Sequence, residues 1–477
     1  MAYLRKGRTR EPPPQPQPSS NLSKSVSLLG GLALTAGGII GSGIFFTPYS
    51  IFNFSGGSVV IALSVWIGAG LLALAGGLCY CELGCSMPES GGDYVYLHRA
   101  YGPLPAFLFV WSAIFLGRPC AQAVVTLPFA KCLVSQIFEE PTDGAVNFAA
   151  IVTTVVLGLV NSVDVKAAVR VQSFLLVFKV ASLLLVVFAA FFYWFRSGES
   201  GCLFDGSSSS SHLSAGQIGM ALYAALWAYD GWANLNYALG EVPNPEKILP
   251  RAIGLGLLVV IGCYVAVNIS LFVFLTKEEY LSSDATILLI GTKFLGSSTA
   301  SIVVPTFMGI FCLGTANGMC LLGARLIYAA SRKGQFPAFL GLIHADFATP
   351  VPAVCFHTLL CCFYILLGSF ESLLEYTSVL AWIVFGLGFL SVYVLRVREP
   401  QLRRPYKVFG ALPGLMILAS VYLVFVPLVM NPKTFLVVLV FVPGCFVYYC
   451  VIQGRLGLLK SVNDYFLNLT KRLGKLN

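Results

Sequence analysis

Long apolar segments recur along almost the whole chain, and they constrain its fold more than any other feature. A helix of about 20 apolar residues spans the roughly 30 Å hydrocarbon core of a bilayer. Charged residues make up only 11% of the sequence, against about 25% in soluble domains. The sequence therefore predicts an all-α membrane protein with twelve transmembrane helices. We place them at residues 26–52, 58–85, 101–135, 145–162, 169–195, 215–240, 250–275, 300–330, 351–368, 370–396, 411–430 and 433–453.

The sequence divides into a twelve-helix domain and a segment at each end of it. Residues 1–25 are polar and Pro-rich and are predicted to be a disordered tail. Residues 26–453 form the twelve-helix domain, and residues 454–477 combine apolar and basic positions at helical spacing, which suits a helix on the bilayer surface. Most of the 30 Lys and Arg residues fall in alternate loops and in both ends of the chain. The positive-inside rule then predicts that both termini are cytoplasmic, and the net charge of +9 gives no reason to expect a nucleic acid partner.

Two of the predicted spans are interrupted near their middle. The first contains Gly41, Ser42 and Gly43 in "IIGSGIFFTP", and the sixth contains Asp230 and Gly231 in "ALWAYDGWANLNYALGE". An acidic residue at mid-membrane costs about 2.5 to 3.5 kcal/mol on insertion scales. Interruptions at corresponding positions indicate a transporter built from inverted repeats. We predict a core of five plus five helices, with the last two helices added to it.

An unwound helix in a membrane leaves backbone N–H and carbonyl groups that need polar partners. A zwitterionic ligand supplies both kinds of partner. Its carboxylate suits the N-terminus of a half-helix, and its ammonium group suits the carbonyls at a half-helix C-terminus. The pair of interruptions therefore predicts a site for an amino acid.

Three further polar residues lie within predicted spans, and each has two interpretations. Arg118, in "LGRPC", either forms a structural ion pair or faces the substrate path. Lys179 either extends to the bilayer interface or places a fixed ammonium group where a sodium ion would otherwise bind. Asn317 either forms an interhelical hydrogen bond or contributes to the pocket wall.

The sequence has no pattern typical of an enzyme or of a cofactor site. The 4 histidines are scattered, and no nucleotide-binding motif is present. The 14 cysteines lie mostly in predicted spans at spacings that match no metal site. We expect neither catalysis nor a cofactor.

Several motifs resemble those of the L-type amino acid transporter light chains of the APC superfamily. They are "GGIIGSGIFFTP", "CELGCSMPESGGDYVYL", "VKAAVRVQ", "LWAYDGWANLNYALGEVPNPEKILPRAI", "ANGMCLLGARLIYAASRKGQFP" and "RRPYKV". The resemblance covers residues 26 to 455. It implies a LeuT-type fold and sodium-independent exchange of amino acids across the plasma membrane. Within the family, "WAYDGWANLNY" is most similar to the light chain that exchanges cystine and basic amino acids for neutral ones.

The resemblance also implies residue roles. Trp227 matches the aromatic gate position, and Lys179 matches the lysine that replaces sodium. From their positions within the predicted spans, and not from the resemblance, we add Arg118 as a gating candidate and Asn317 as a candidate for the pocket. The substrate's carboxylate and ammonium groups would be met by Ile39, Ser42, Gly43, Trp227, Ala228 and Asp230.

Two positions depart from the family pattern. Family members usually carry a cysteine in the outer loop between the third and fourth spans that forms a disulfide with a single-span heavy-chain glycoprotein, whereas Glu139 and Glu140 lie at that place here. Non-covalent pairing, another partner, or use of Cys132 or Cys202 remain open. Ala233 stands where the family commonly has asparagine, so the substrate range is not simply inherited.

The substrate class stays open between two alternatives. The carboxylate of Asp230 could pair with the distal cation of a basic amino acid, which favours exchange of basic and neutral substrates. If neighbouring N–H groups satisfy Asp230 instead, a neutral or aromatic preference follows. An ion-coupled symporter on the same fold and a membrane scaffold without transport activity are the alternative functions.

Overall fold

The structure, a computed structural model, describes residues 26–41, 43–138, 141–163, 165–204, 213–282, 286–367, 370–430, 442–443, 445–446 and 465. These residues form sixteen α-helices and no β-strand. The helices are α1 Leu28–Ile39, α2 Gly43–Phe54, α3 Val59–Ser86, α4 Asp93–Tyr101, α5 Pro103–Ser112, α6 Arg118–Val134, α7 Asp143–Val163, α8 Val165–Ser197, α9 Ala215–Ala228, α10 Pro245–Phe274, α11 Lys277–Ser282, α12 Thr286–Leu295, α13 Ser297–Arg332, α14 Val351–Leu367, α15 Phe370–Arg398 and α16 Ala411–Met430.

The helical membrane class is confirmed, but the number of spans is not. Within the described residues, 8 segments are long and apolar enough to cross a bilayer. Two shorter apolar helices, Val351–Leu367 and Ala411–Phe425, correspond to the predicted ninth and eleventh spans. The sixth predicted span is divided, and the twelfth lies almost entirely outside the described residues. The terminal segments 1–25 and 454–477 also lie outside them, apart from Tyr465.

The first predicted interruption is present between α1 and α2. The first of these helices ends at Ile39, and Ile40 has the non-helical ψ of 90°. The second begins at Gly43, while Ser42 lies outside the described residues. A Cβ atom on Gly43 would lie 2.8 Å from the Cα atom of Ala228, so only glycine allows these two segments of the chain to approach this closely.

The second interruption follows α9. This helix ends at Ala228, and the chain then turns through Gly231, whose φ of +120° strongly favours glycine. It continues as a 3-10 helix over Asn234–Glu241. The sixth predicted span is therefore two short helices that meet at the Asp230–Gly231 turn.

Packing brings the two interruptions together. Helices α2 and α9 lie against each other, and α1 packs on α8, α10 and α13. The buried hydroxyl of Tyr264, on α10, lies 3.0 Å from the carbonyl oxygen of Ile39 and 3.2 Å from that of Ala228. Because these are the last residues of α1 and α9, one side chain links the C-terminal ends of both half-helices.

Candidate substrate site at the two helix interruptions

A cavity of about 170 Å³ lies between the two interruptions. Backbone and side-chain atoms from both broken segments line it, together with α6, α13 and α15. Six of the nine candidate site residues are in its wall, namely Ile39, Gly43, Arg118, Trp227, Ala228 and Asp230. The structure therefore brings together residues that are separated by almost 200 positions in the sequence.

Asp230 presents its carboxylate to this cavity. The side chain is exposed, although the residues on either side of it are buried. Its Oδ1 atom accepts a hydrogen bond of 2.8 Å from the backbone N–H of Gly231. A carboxylate that is exposed in a cavity in this way is available to a cationic group of a ligand.

Arg118 is in the wall of the same cavity, at the start of α6. The turn before it, Ala113–Gly117, is a π-helix, a local widening that is frequent at functional sites. The guanidinium carbon is 4.2 Å from the ring centre of Tyr237, within the range of a cation–π contact. It also interacts electrostatically with Asp93 and Asp230.

Asp93 is a charged residue of the cavity wall that the sequence reasoning missed. It is fully buried at the first position of α4, after Gly91 and Gly92, which both have positive φ. Its carboxylate accepts hydrogen bonds from the hydroxyls of Tyr80 and Tyr237, the latter at 2.5 Å. The motif "GGDYVYL" contains the signal, but it stands outside the apolar spans on which the sequence reasoning concentrated.

Lys179 does not line the cavity, and it is fully buried behind the first interruption. Its ammonium group donates to the carbonyl oxygens of Gly37 at 2.9 Å and Ile40 at 2.5 Å, and lies 3.2 Å from the hydroxyl of Thr315. The cation therefore binds the C-terminal end of α1, where helix carbonyls lack intrahelical partners. The structure places its ammonium group between α1 and α13, where no part of the side chain is exposed.

Asn317 also lies away from the cavity. It is buried in α13, where its Oδ1 atom accepts a hydrogen bond of 3.0 Å from Asn161 and its Nδ2 atom donates to Gln172 at 3.2 Å. This geometry corresponds to the interhelical hydrogen bond, one of the two roles that the sequence left open. The amides of α7, α8 and α13 form one buried cluster.

A buried ion pair fixes the end of the second broken segment. The carboxylate of Glu241 lies 2.7 Å from the guanidinium of Arg325, and the two side chains are 1% and 0% exposed. The carbonyl oxygen of Glu241 accepts a hydrogen bond of 3.0 Å from the N–H of Val26. Glu241 therefore joins the start of the first broken segment, the end of the second and α13.

The residues that bear on a covalent partner are only partly described. Glu139 and Glu140 lie outside the described residues. Cys202 is 2% exposed, and its N–H donates to the carbonyl oxygens of Phe272 and Leu275. Cys132 is half-buried. Among the described residues, no group of three or more His, Cys, Asp or Glu side chains could hold a metal ion.

Comparison with known proteins agrees with this geometry. The model of a family described as amino acid permease matches residues 26–452. The b(0,+)-type amino acid transporter 1 of Homo sapiens is 34% identical over 96% of this chain and 95% of its own length. The human cystine/glutamate transporter is 33% identical over 92% of this chain and 87% of its own. The Asc-type amino acid transporter 1 of Mus musculus is 34% identical over 85% and 75%. The chain belongs to the amino acid permease family, and it is a transporter rather than an enzyme.

Proposed function

We propose that this protein is a sodium-independent antiporter that exchanges L-amino acids across the plasma membrane by alternating access. One observation carries the proposal: the ends of two broken helices face a single cavity that holds both a cation and an anion, Arg118 and Asp230. The relatives are named as amino acid transporters or as a cystine/glutamate transporter, which supports an amino acid as the substrate.

The backbone at the interruptions suits the common part of every amino acid. The carbonyl ends of α1 and α9 lie close enough for Tyr264 to contact both, and carbonyl ends favour an ammonium group. The N-terminus of α2 begins at Gly43 in the cavity wall, and N–H groups there favour a carboxylate. We propose that Ile39, Ser42, Gly43, Trp227, Ala228 and Asp230 contact the substrate, with Trp227 as its gate.

Sodium independence is proposed from the position of Lys179. Its ammonium group contacts two carbonyl oxygens and one hydroxyl oxygen, and oxygens are also the atoms that bind hard cations. An ammonium group fixed at this place by the chain itself makes a bound sodium ion unnecessary for holding the end of α1. We include Lys179 and Arg118 in the proposal as the sodium-substituting and the gating residue.

The architecture that we propose is the LeuT-type arrangement of five plus five helices in inverted repeats, with twelve spans in total and both termini in the cytoplasm. The two broken segments at corresponding positions support it. Residues 1–25 and 454–477 are proposed as cytoplasmic segments on either side of the transporter domain.

We also propose a non-covalent association with a single-span heavy-chain glycoprotein. Burial of Cys202, at 2% exposure, makes it a poor partner for an intermolecular disulfide. Glu139 and Glu140 replace the expected cysteine. We therefore propose association without a disulfide, and the half-buried Cys132 is the cysteine that could form one instead.

For the substrate class we propose neutral amino acids together with basic ones. The carboxylate of Asp230 faces the cavity with one hydrogen bond from Gly231, which leaves it able to pair with a distal cation. Apolar and aromatic residues, among them Phe109 and Phe385, form another part of the wall. Equal or better exchange of aromatic substrates would show that this part of the wall determines selectivity.

Counterflow in liposomes tests the proposal. We expect the reconstituted protein to take up labelled amino acid only when unlabelled amino acid is trapped inside, and to do so equally in sodium and in choline. Uptake into empty vesicles that is driven by a sodium or proton gradient would identify a symporter instead. Absence of binding to a broad panel of amino acids would support a scaffold.

A further inference from the structure

Arg118 shares the cavity wall with two acidic residues, Asp93 and Asp230. It interacts electrostatically with both Asp93 and Asp230, and its guanidinium group rests on the ring of Tyr237 at 4.2 Å. The hydroxyl of the same tyrosine donates to Oδ2 of Asp93 at 2.5 Å. Tyr237 thus connects the cation directly to one of the two carboxylates.

The two carboxylates differ in how firmly they are held. Asp93 is 0% exposed and accepts hydrogen bonds from two buried tyrosines, Tyr80 and Tyr237. Asp230 is exposed to the cavity and accepts one backbone hydrogen bond, from Gly231. Within the described part of the chain no ion pair of 4.0 Å or less joins Arg118 to Asp230, and the contact that the structure gives its guanidinium group is the ring of Tyr237.

We propose that Asp93, acting through Tyr237, is a specificity-determining positioning residue that holds Arg118 away from Asp230 and keeps the Asp230 carboxylate open to a cationic substrate group. The inference rests on the proposed amino acid site. Arginine forms strong two-point contacts with carboxylates. If the charge of Asp93 is removed, Asp230 is the remaining carboxylate in the cavity wall for Arg118 to pair with, and pairing would close it to lysine or arginine.

Binding competition on the purified protein measures this effect without requiring transport. Unlabelled lysine, arginine and alanine compete against a labelled neutral amino acid, and the ratio of their half-maximal concentrations reports selectivity for charge. For Asp93→Asn we expect the binding of lysine and arginine to weaken by about tenfold relative to that of alanine, equivalent to about 1.4 kcal/mol. Tyr237→Phe keeps the ring under Arg118 but loses the hydroxyl, and it should shift the ratio in the same direction.

Two further variants separate a positioning role of Asp93 from a general structural effect of the substitution. Tyr96→Phe is the matched control, because Tyr96 is also fully buried in α4 and donates at 2.7 Å to Asn236, next to Tyr237. We expect it to leave the ratio unchanged. The double variant Asp93→Asn/Arg118→Gln should recover competition by lysine and arginine, because it removes the cation that would occupy Asp230.

The outcomes distinguish this inference from the proposed function. Equal weakening of all three competitors, no recovery in the double variant, or the same shift in Tyr96→Phe would show that Asp93 is only structural. If lysine and arginine fail to compete on the unaltered protein, the inference is overturned as well. If Asp93→Asn does not fold, Tyr237→Phe decides the question alone. Normal competition without counterflow would instead refute the exchange function.

Discussion

Replacing Lys179 by methionine tests what organises the first helix interruption. Methionine has nearly the same length and is apolar, so Lys179→Met removes the ammonium group without opening a large void. The carbonyl oxygens of Gly37 and Ile40 then lose hydrogen bonds of 2.9 Å and 2.5 Å. The hydroxyl of Thr315 loses its neighbour at 3.2 Å.

The size of the effect follows from these contacts. An unsatisfied buried acceptor costs about 1 to 3 kcal/mol, which gives about 2 to 6 kcal/mol for two carbonyls. Burying methionine does not require the desolvation of a charge, as burying lysine does, and this difference offsets part of the lost stability. We therefore expect the free energy of unfolding to fall by about 2 kcal/mol or more, and exchange to fall at least about tenfold because the end of α1 forms the cavity wall.

Thermal unfolding in detergent and counterflow in liposomes measure the two effects. Lys293→Met is the control, because that lysine pairs with Glu279 at 40% and 39% side-chain exposure, and such surface pairs contribute about 0 to 1 kcal/mol. Unchanged stability and exchange in Lys179→Met would refute the role of the ammonium group. An equal change in both lysine variants would mean that the effect of losing the ammonium group is not specific to the first helix interruption.

Three further results are expected. Glu241→Gln should lower the free energy of unfolding by about 3 to 5 kcal/mol, because it leaves the guanidinium of Arg325 buried without its counter-ion; an unchanged thermal midpoint would contradict this. Asp230→Asn should weaken binding of lysine by at least about tenfold relative to alanine, and equal weakening of both would make Asp230 structural. Cys202 is 2% exposed, so a membrane-impermeant maleimide should not label it until detergent and heat unfold the protein. Peptide mass spectrometry measures the labelling, and rapid labelling of the folded protein would show that Cys202 is accessible.

The helical class and the two interruptions could be predicted because they depend on local rules. Apolar length identifies membrane helices, and the run from Gly41 to Gly43 and the Asp230–Gly231 pair both disrupt a helix wherever they occur. The structure has both interruptions at these places. The number of spans was harder to predict, because a window of apolar residues cannot tell a continuous helix from two short ones that meet at a turn.

The charges around the cavity could not be predicted in the same way. Asp93 and Tyr237 are 144 positions apart, and no periodicity relates a residue of α4 to one of the 3-10 helix that follows α9. Asn317 and Lys179 had two interpretations each from the sequence, since a polar residue in a membrane helix needs some partner but the sequence does not name it. The structure gives Asn317 two amide partners and Lys179 the carbonyls of α1.

The sequence by itself determined that this protein is a bundle of membrane helices broken at two points, because hydropathy and helix-breaking residues act within a few positions of the chain. Only the tertiary structure decided which polar groups face one another across the cavity. Hydrogen bonds and ion pairs reach only a few ångströms, so their partners depend on how distant helices pack. That packing gave Arg118 its contact with Tyr237 and left Asp230 open to the cavity.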